Sequence, residues 1–245
     1  MSRPRVVIVI QARMGSSRLP GKVLMDLHGR PLLERQIERL RRSRTADAIA
    51  IATSADERDD AIAALAQRLG IASFRGDEED VLARFAGAAD TFQADVVVRV
   101  TADCPLIDPD LLDRCVARLL DDPGLDYVSN TLERTYPRGL DVEVLTRDAL
   151  ERAHREASDP DDREHVTRFV WRQPGRFRLG GVADGDDHSA LRWTVDTQED
   201  LEVVRAVFDD LYPDRPAFTY ADALAHAAEH PAIHARNRHV RQKPA

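Results

Sequence analysis

The loop from Gln11 to Lys22 is the first part of the chain whose residue types could do chemistry. It contains two glycines, two serines, two arginines and a lysine, and it has no acidic residue. Glycines let backbone N–H groups approach a ligand closely, and the basic side chains neutralise a ligand's negative charge. We therefore predict that this loop binds a polyphosphate. The alternative is a solvated basic turn.

Established glycine-rich phosphate motifs do not describe this loop. A P-loop needs a glycine, four residues and then Gly-Lys-Ser/Thr. Here five residues separate Gly15 from Gly21, and a valine stands in place of the hydroxyl residue; the Rossmann pattern Gly-x-Gly-x-x-Gly is also absent. Among the 35 basic residues, only Lys22 and Lys243 are lysines. Lysine binds a phosphate as a compact point charge, a role that the planar guanidinium of arginine does not reproduce.

Two aspartates each come just after a predicted strand. Asp103 follows the strand predicted at 95–100, and Asp196 follows the strand predicted at 191–195. Magnesium prefers hard oxygen ligands and usually takes one or two carboxylates together with substrate phosphates, so these two aspartates could share one cation. The structural alternatives are a turn-forming role for Asp103 and, beside Asp196, a helix-capping box made by Thr197 and Asp200.

Strands and helices alternate through the first half of the chain. Continuous β-branched runs are typical of strands buried on both faces of a parallel sheet, joined by right-handed crossovers. Ligands of such α/β sheets bind beyond the carboxyl ends of the strands. The predicted strands are 6–10, 48–52, 71–74 and 95–100, and the predicted helices are one opening at Pro31 and those at 61–69, 80–91 and 111–120.

The pattern changes in the second half. Residues 136–145 alternate apolar with acidic side chains, which predicts an antiparallel or edge strand with Asp141 and Glu143 on one face. A solvated strand face explains the alternation equally well. The other predicted elements are a strand at 127–130, a helix at 147–157, a helix opening at Arg163 that carries Phe169, Val170 and Trp171, a strand at 191–195, a helix opening at 196–197, and a terminal helix and basic tail beyond Phe218.

The composition restricts the class of protein. A chain of 245 residues suits one α/β domain with a small excursion. A net charge of −8 argues against general nucleic-acid or membrane binding. No apolar stretch approaches the ~20 residues that cross a bilayer, and we find no signal peptide. Two cysteines, Cys104 and Cys115, are too few for a disulfide scaffold and lack metal-ligand spacing. We therefore expect a cytoplasmic protein.

The loop has the form Gln-Ala-Arg-x-x-Ser-x-Arg-Leu-Pro-Gly-Lys, which resembles the N-terminal signature of nucleotidyltransferases that activate sugars. It is most similar to the cytidylyltransferase branch, which includes CMP-KDO and CMP-sialic acid synthetases, and within it to the spore-coat polysaccharide cytidylyltransferases. The resemblance covers residues 5–210 and includes Val-Asp-Thr-x-Glu-Asp-Leu at 195–201. It implies one domain over 1–245 with a Rossmann-like, mostly parallel sheet flanked by helices, of the GT-A and nucleotidyltransferase type, with a small antiparallel excursion.

The resemblance also implies roles for individual residues. Asp103 and Asp196 match the family's ligands of Mg²⁺, although Thr101 and Ala102 depart from the residues that usually precede the first aspartate. Arg13 and Lys22 join these aspartates as catalytic residues. The implied nucleotide-binding residues are Gln11, Ala12, Arg13, Gly15, Ser16, Ser17, Lys22, Arg75, Thr101 and Ala102.

A second set of residues matches the family's acceptor pocket. Pro-x-Gly-x-Asp-x-Glu begins at Pro137, and Arg-Glu-His occurs at 163–165. The implied acceptor-binding residues are Arg138, Asp141, Glu143, Glu164 and His165. For the histidine, a hydrogen-bonded structural role is the alternative. Related synthetases are dimers, so residues 130–180 are expected to form an acceptor-binding and dimerisation excursion, and the protein to be a homodimer.

The implied reaction transfers CMP from CTP to an anionic acceptor and releases pyrophosphate, with Mg²⁺ as the cofactor. The expected partners are these small molecules, with no nucleic acid and no membrane. Three alternatives stay open: a related transferase or GT-A-type glycosyltransferase that uses another nucleotide, a catalytically silent nucleotide-binding protein, and an acceptor that is a phosphonate rather than a sugar acid.

Overall fold

The computed structural model describes residues 3–242, which form a seven-stranded sheet, a two-stranded hairpin and flanking helices. The strands are β1 (Val6–Gln11), β2 (Asp26–Leu27), β3 (Arg30–Pro31), β4 (Ala48–Ser54), β5 (Ala72–Gly76), β6 (Val96–Thr101), β7 (Tyr127–Ser129), β8 (Glu143–Thr146) and β9 (Leu179–Gly181). The helices are α1 (Leu32–Leu40), α2 (Asp60–Arg68), α3 (Val81–Thr91), α4 (Pro109–Asp121), α5 (Arg147–Glu156), α6 (Pro160–Glu164), α7 (Arg168–Trp171), α8 (Gln198–Leu211), α9 (Tyr220–Glu229) and α10 (Pro231–His234).

The main sheet has the strand order β5-β4-β1-β6-β8-β7-β9. The strands β5, β4, β1 and β6 are parallel to one another. β8 runs antiparallel to both of its neighbours, and β9 is parallel to β7. The two-stranded hairpin consists of β2 and β3. The predicted mostly parallel α/β sheet is therefore confirmed, and its antiparallel parts are an interior strand and this hairpin.

The core lies on both faces of the sheet, as the apolar run of β1 predicts. Val6, Ile8 and Ile10 belong to one buried cluster, and Val7 and Val9 belong to the cluster on the opposite face. All five side chains are completely buried. Burial on both faces explains why this strand is continuously apolar instead of alternating with polar residues.

The elements predicted for the first half of the chain are present with ends within two residues of the prediction. The same holds for the strand at 127–130 and the helix at 147–157. Thr197 and Asp200 form the reciprocal capping box at the start of α8. None of the helices in residues 3–242 has the length and apolar character needed to cross a membrane.

The strand predicted at 136–145 is antiparallel, one of its two predicted forms, but it is much shorter than predicted. Only Glu143–Thr146 forms a strand, and this strand lies inside the sheet, between β6 and β7, rather than at an edge. In the segment just before β8, the side chain of Asn130 takes the place of a neighbouring strand. Its Nδ2 donates to Leu140 O at 2.9 Å, and its Oδ1 accepts from Val142 N at 2.8 Å. A side-chain partner of this kind leaves no pattern in the sequence of the segment itself.

Two further predictions differ from the structure. No strand forms at 191–195; Arg192 makes only an isolated bridge with Arg138. The helix expected from Arg163 is instead the end of α6 followed by α7, because the backbone turns at Val166, whose φ is 51°. A positive φ ends a right-handed helix.

Candidate active site

Lys22 lies between the two predicted aspartates. Its Nζ donates to Asp103 Oδ2 at 2.7 Å and to Asp196 Oδ1 at 2.8 Å. Asp103 stands two residues beyond the end of β6, and Asp196 stands two residues before the first residue of α8. Gly21 precedes Lys22 with φ 71°, a left-handed conformation that glycine adopts without steric cost. Lys22 and both carboxylates, which are far apart in the sequence, therefore meet at one point.

Lys22 and Asp103 stabilise each other's charged forms. Burial acts to lower the pKa of Lys22, but the charges and hydrogen bonds of the two aspartates offset burial, and the pKa of Lys22 is raised. Burial acts to raise the pKa of Asp103, while the charge of Lys22 and hydrogen bonds from Lys22 and Thr101 lower it, and the net pKa is lowered. The Thr101 hydroxyl donates to Asp103 Oδ1 at 2.6 Å.

A second layer of charge surrounds Asp196. Its Oδ2 accepts from Arg192 at 2.7 Å and lies 2.9 Å from a guanidinium nitrogen of Arg18. Arg192 also donates from Nε to Asp200 Oδ1 at 2.9 Å, and the Asp200 side chain is completely buried. Together with Lys22 and Asp103, the cluster contains three cations and three carboxylates. It is electrically neutral, so an added polyanion requires added positive charge.

The donor set of Asp103 and Asp196 fits a magnesium ion. Both side chains offer hard carboxylate oxygens to the same point, since one ammonium group contacts both. Magnesium sites usually have one or two protein carboxylates and are completed by substrate phosphates and water, so the pair Asp103 and Asp196 suits this metal. A softer metal would call for histidine or cysteine ligands.

A cluster of one aspartate and two histidines has the spacing of a metal site, but its hydrogen bonds do not suit metal binding. Asp210, His226 and His230 bring their ligand atoms within 4.8 Å of one another. However, Trp193 Nε1 donates to His234 Nδ1 at 3.1 Å, and His234 Nε2 lies 3.1 Å from His226 Nδ1. Because the indole can only donate, neutral His234 donates to His226, which leaves the proton of His226 on Nε2, facing Asp210 at 2.9 Å. This nitrogen is a donor and not a metal ligand.

The smaller of two adjoining clefts opens above the first loop and has a volume of about 210 Å³. Ala12 is buried beside it, with its N–H bound to Ala52 O. Arg75 does not line this cleft: it donates to Ser54 O at 2.9 Å and to Asp56 O at 2.8 Å. The lining residues are Gln11, Arg13, Gly15, Ser16, Ser17, Arg18, Lys22, Val23, Thr101, Ala102, Asp103 and Asp196. The structure therefore brings together the predicted nucleotide-binding residues except Arg75, with Ala12 beneath the surface.

The larger cleft has a volume of about 660 Å³ and shares Thr101, Asp103 and Asp196 with the smaller one. Of the predicted acceptor residues, only Glu164 lies outside its lining, where it faces Arg13 at 3.7 Å. The lining residues are Arg99, Val100, Thr101, Asp103, Cys104, Thr131, Leu132, Arg134, Arg138, Gly139, Asp141, Glu143, His165, Thr167, Trp171, Thr194, Asp196 and Gln242. The lysine–aspartate cluster thus stands where the two clefts meet.

Glu143 forms part of the floor of the larger cleft and is saturated by protein donors. It accepts hydrogen bonds from Arg99, from the Thr167 hydroxyl and, at 2.8 Å, from the Tyr127 hydroxyl. Burial and the charge of Glu143 raise the pKa of Tyr127 well above its usual range, so this hydroxyl stays protonated. Arg99 also donates to Gln11 Oε1 at 2.8 Å, which links the two clefts. Only 9 % of Glu143 is exposed, which excludes a solvated strand face for it.

Arg138 carries a positive charge into the larger cleft. Within residues 3–242 its guanidinium has no hydrogen bond or ion pair, whereas Arg134 binds both oxygens of Asp141, at 2.7 and 2.8 Å. Burial and the neighbouring Arg134 lower the pKa of Arg138. Gly139 has φ 102°, and a Cβ on it would lie 2.4 Å from Thr194 N, so glycine is required to place Arg138 against this strand-like segment.

Several residues of the site were not predicted from the sequence. Arg18 was the easiest to find, since it lies in the first loop, and Arg192 is four residues before Asp196. Arg99 lies in β6 and faces the larger cleft. A single arginine in a predicted strand does not by itself indicate a binding site. Gln242, in the basic tail beyond Phe218, accepts a hydrogen bond from Arg192 at 2.7 Å. Gln242 belongs to the site only because the folded chain packs the tail against it.

Comparison with known proteins identifies the family. The family model described as cytidylyltransferase matches residues 7–231. The chain is 37 % identical to an uncharacterized protein of Methanocaldococcus jannaschii, over 98 % of this chain and 97 % of that protein. It is 36 % identical to the spore coat polysaccharide biosynthesis protein SpsF of Bacillus subtilis, over 83 % and 86 % of the two chains. A solved cytidylyltransferase of Leptospira borgpetersenii superposes with a TM-score of 0.91 at 32 % identity, covering 99 % of this chain and all of that one.

These matches confirm the resemblance and the enzyme class that the sequence predicted, and they extend over nearly the whole chain. The fold of the Leptospira enzyme is that of the seven-stranded sheet described above. The chain is a nucleotidyltransferase and belongs to the cytidylyltransferase family.

Proposed function

We propose that this protein transfers CMP from CTP to an acidic acceptor, a sugar acid, and releases pyrophosphate, with Mg²⁺ as its cofactor. The single observation that carries this proposal is the Lys22–Asp103–Asp196 cluster at the junction of a small basic cleft and a larger cleft. In a group transfer the reacting phosphorus must lie where the donor and the acceptor meet, and this junction is that place.

The smaller cleft fits a triphosphate. Arg13, Arg18 and Lys22 line it together with the backbone of Gly15 and the hydroxyl residue Ser16. Lys22 and Arg18 are paired with carboxylates in the structure. When Asp103 and Asp196 hold Mg²⁺, the charges of these two basic residues become available to the phosphates. Arg75 donates to backbone carbonyls outside this cleft, and its nucleotide-binding role stays a separate proposal.

The chemistry is an in-line displacement. A hydroxyl oxygen of the acceptor attacks the α-phosphorus, the bond from this phosphorus to the bridging oxygen of pyrophosphate breaks, and the hydroxyl proton is lost to solvent. Arg13 and Lys22 offset the charge that develops on the leaving pyrophosphate. When bound, Mg²⁺ supplies further positive charge for the same purpose. The residues of both clefts position the reactants, which converts an encounter in solution into a reaction within one complex.

The larger cleft fits an acceptor that combines an anionic group with hydroxyls. The unpaired guanidinium of Arg138 suits a carboxylate, and His165, Asp141 and Thr131 offer hydrogen-bonding groups around it. A carboxylate and a phosphonate both satisfy Arg138, so a phosphonate acceptor is an outcome that the assay must test. Glu143 and Glu164 act less directly: the first is saturated by protein donors, and the second is paired with Arg13.

We also propose that the protein is a cytoplasmic homodimer in which residues 130–180 contribute to the interface. Leu132 supports this, because it is the one large hydrophobic side chain of the described chain that is exposed, at 40 %, and it lies in this segment at the larger cleft. Light scattering on the wild type and on Leu132→Asp tests it: a dimer that dissociates in the variant is expected, and a monomeric wild type would refute the dimer.

The test of the reaction is release of pyrophosphate with Mg²⁺ and each of CTP, UTP, GTP and ATP. Acceptors are 3-deoxy-manno-octulosonate, a sialic acid and a set of phosphonates. We expect release with CTP and a sugar acid, with loss of at least about 10²-fold in Asp103→Asn. Asp214→Asn, which changes an exposed aspartate in the turn after α8, should keep full activity. Selective turnover of UTP or GTP would refute the cytidylyl assignment, and turnover with phosphonates alone would refute the sugar-acid assignment.

A further inference from the structure

Val166 has a left-handed backbone, with φ 51°, although valine is β-branched. L-residues other than glycine rarely adopt this conformation, and for β-branched side chains it is a clear outlier. The N–H of Thr167 donates to His165 O at 2.5 Å across it, which closes a three-residue turn of the strained kind. Of the other non-glycine residues with positive φ in residues 3–242, His28 and Gln93, neither is β-branched.

The position of Val166 in the fold usually calls for glycine. It is the first residue after the C-cap of α6, where a left-handed glycine commonly ends a helix. The chain follows this rule at the end of α2, where Gly70 has φ 64°. Val166 is instead completely buried, in the core cluster that also contains Leu150, Val170 and Phe177. The side chain thus anchors a backbone conformation that its own type disfavours.

This turn sets the direction of one wall of the larger cleft. We define the 165–171 wall as His165 to Trp171; His165, Thr167 and Trp171 line the cleft, one on each side of Val166 and one a turn later. The Thr167 hydroxyl donates to Glu143, and Trp171 N donates to Thr167 O at 3.1 Å. A change of φ at Val166 therefore moves Thr167 and Trp171 relative to His165 and changes the shape of this wall.

We propose that Val166 is a positioning residue for acceptor binding: its buried side chain holds the strained turn, and the strained turn holds the 165–171 wall in the shape that fits the acceptor. The proposal rests on the proposed function only in taking the larger cleft as the acceptor site. Strained backbone is retained where the surrounding structure over-determines it, and it concentrates at ligand-binding sites.

This proposal predicts an unusual order of substitutions. At an ordinary buried valine, glycine is worse than alanine, because it removes more packing and adds backbone freedom. At Val166, alanine removes the anchor but keeps the preference against a left-handed φ, so the wall relaxes away from its position. Glycine also removes the anchoring side chain, but it adopts the left-handed φ at no steric cost. The 165–171 wall therefore keeps part of its wild-type position. We expect Val166→Ala to impair the acceptor site more than Val166→Gly.

The experiment compares these two variants with the wild type and with Gln93→Gly. Gln93 is a matched control, because it also has a left-handed φ, of 53°, directly after a helix C-cap, that of α3. It is exposed and lines neither cleft. The first readout is acrylamide quenching of tryptophan fluorescence. It reports on Trp171, since the other tryptophan, Trp193, is completely buried. We expect quenching to increase in the order wild type, Val166→Gly, Val166→Ala, with no change in Gln93→Gly.

The second readout is kinetic, with 3-deoxy-manno-octulosonate as the probe acceptor. The KM for this probe is expected to rise in both variants, and to be about five- to thirtyfold higher in Val166→Ala than in Val166→Gly, the factor that the left-handed preference corresponds to. The Kd for CTP is expected to stay within about twofold, because the smaller cleft shares no residue with the wall.

The outcomes are distinguishable. If glycine is worse than alanine in both readouts, Val166 is an ordinary packing residue and the proposal is overturned. If neither variant changes Trp171 quenching, the wall does not depend on the turn, and the proposal is again overturned. Should Val166→Ala fail to fold, Val166→Gly decides through its quenching and KM. If the wild type turns over no acceptor, the proposed function fails, while the quenching order still tests the position of the wall.

Discussion

Replacing Lys22 by methionine tests the charge balance of the site. The variant keeps the length of the side chain but removes the cation that lies 2.7 Å from Asp103 and 2.8 Å from Asp196. Removing one partner of a buried ion pair typically costs about 3–5 kcal/mol. The cost here is lower because Asp196 keeps Arg18 and Arg192, and because 22 % of the Asp103 side chain is exposed. We expect a loss of about 2–3 kcal/mol in the free energy of unfolding at pH 7.

The pH dependence of this loss follows from Asp103. In the wild type its pKa is lowered, so its charged form contributes stability above the unfolded pKa, and this contribution is lost as the pH falls through the folded pKa. Without the charge and hydrogen bond of Lys22, we expect burial, the largest contribution, to outweigh the remaining hydrogen bonds from Thr101 and Cys104 and to raise the pKa of Asp103 above its unfolded value. The variant then binds a proton on folding, and its stability increases as the pH falls from neutral. The difference between the two proteins therefore narrows toward acidic pH.

Urea unfolding at pH 7.5, 6.5 and 5.5 measures this difference, and thermal unfolding should give a midpoint about 4–12 °C lower at pH 7. Pyrophosphate release should fall at least about 10²-fold. Lys22→Arg keeps the charge and should keep most of the stability but not the activity. Arg172→Met, which removes an exposed cation, is the control for loss of charge as such. Equal stability of Lys22→Met and wild type at pH 7 would refute the reasoning.

Three further predictions concern the metal, the acceptor and a histidine. Asp196→Asn should abolish the Mg²⁺-dependent part of the thermal shift caused by CTP; a wild-type shift in the variant would contradict a metal role. Arg138→Gln should raise the KM for a sugar-acid acceptor about tenfold or more and leave the KM for CTP unchanged, as initial rates would reveal. Burial, followed by the neighbouring His226, His230 and Arg238, lowers the pKa of His234 to about 4, so the unfolded chain binds the extra proton below pH 6.5. Stability should fall by about 2–3 kcal/mol from pH 7 to pH 4, measured by urea unfolding, and a His234→Asn variant should lose most of this slope.

Local sequence patterns correctly predicted the secondary structure where short-range interactions decide it. Val6–Gln11 is buried on both faces, so its apolar run alone predicts an interior strand of a parallel sheet. The capping box of Thr197 and Asp200 involves residues three apart, and its geometry depends only on the first turn of the helix. Predictions of this kind succeed because the interactions that decide them are short in sequence.

Segments decided by distant partners were predicted less well. The alternation at 136–145 is genuine, but Asn130 binds the backbone of Leu140 and Val142, so only the last part of the segment becomes a strand. Likewise, the break between α6 and α7 depends on burial of Val166 in a core to which other elements contribute. Neither the side-chain partner nor the core is visible in the segment itself.

The sequence by itself determined the sheet class, the basic loop that ends at Lys22, and the two aspartates that could share a cation. These depend on residue type and on short-range periodicity. Only the tertiary structure decided that Lys22 lies between Asp103 and Asp196, that Arg192 completes a neutral cluster, and that a strained turn supports the wall of the larger cleft. The reason is physical: charge balance and strain depend on which groups the fold brings within a few ångströms, and the chain order does not specify those distances.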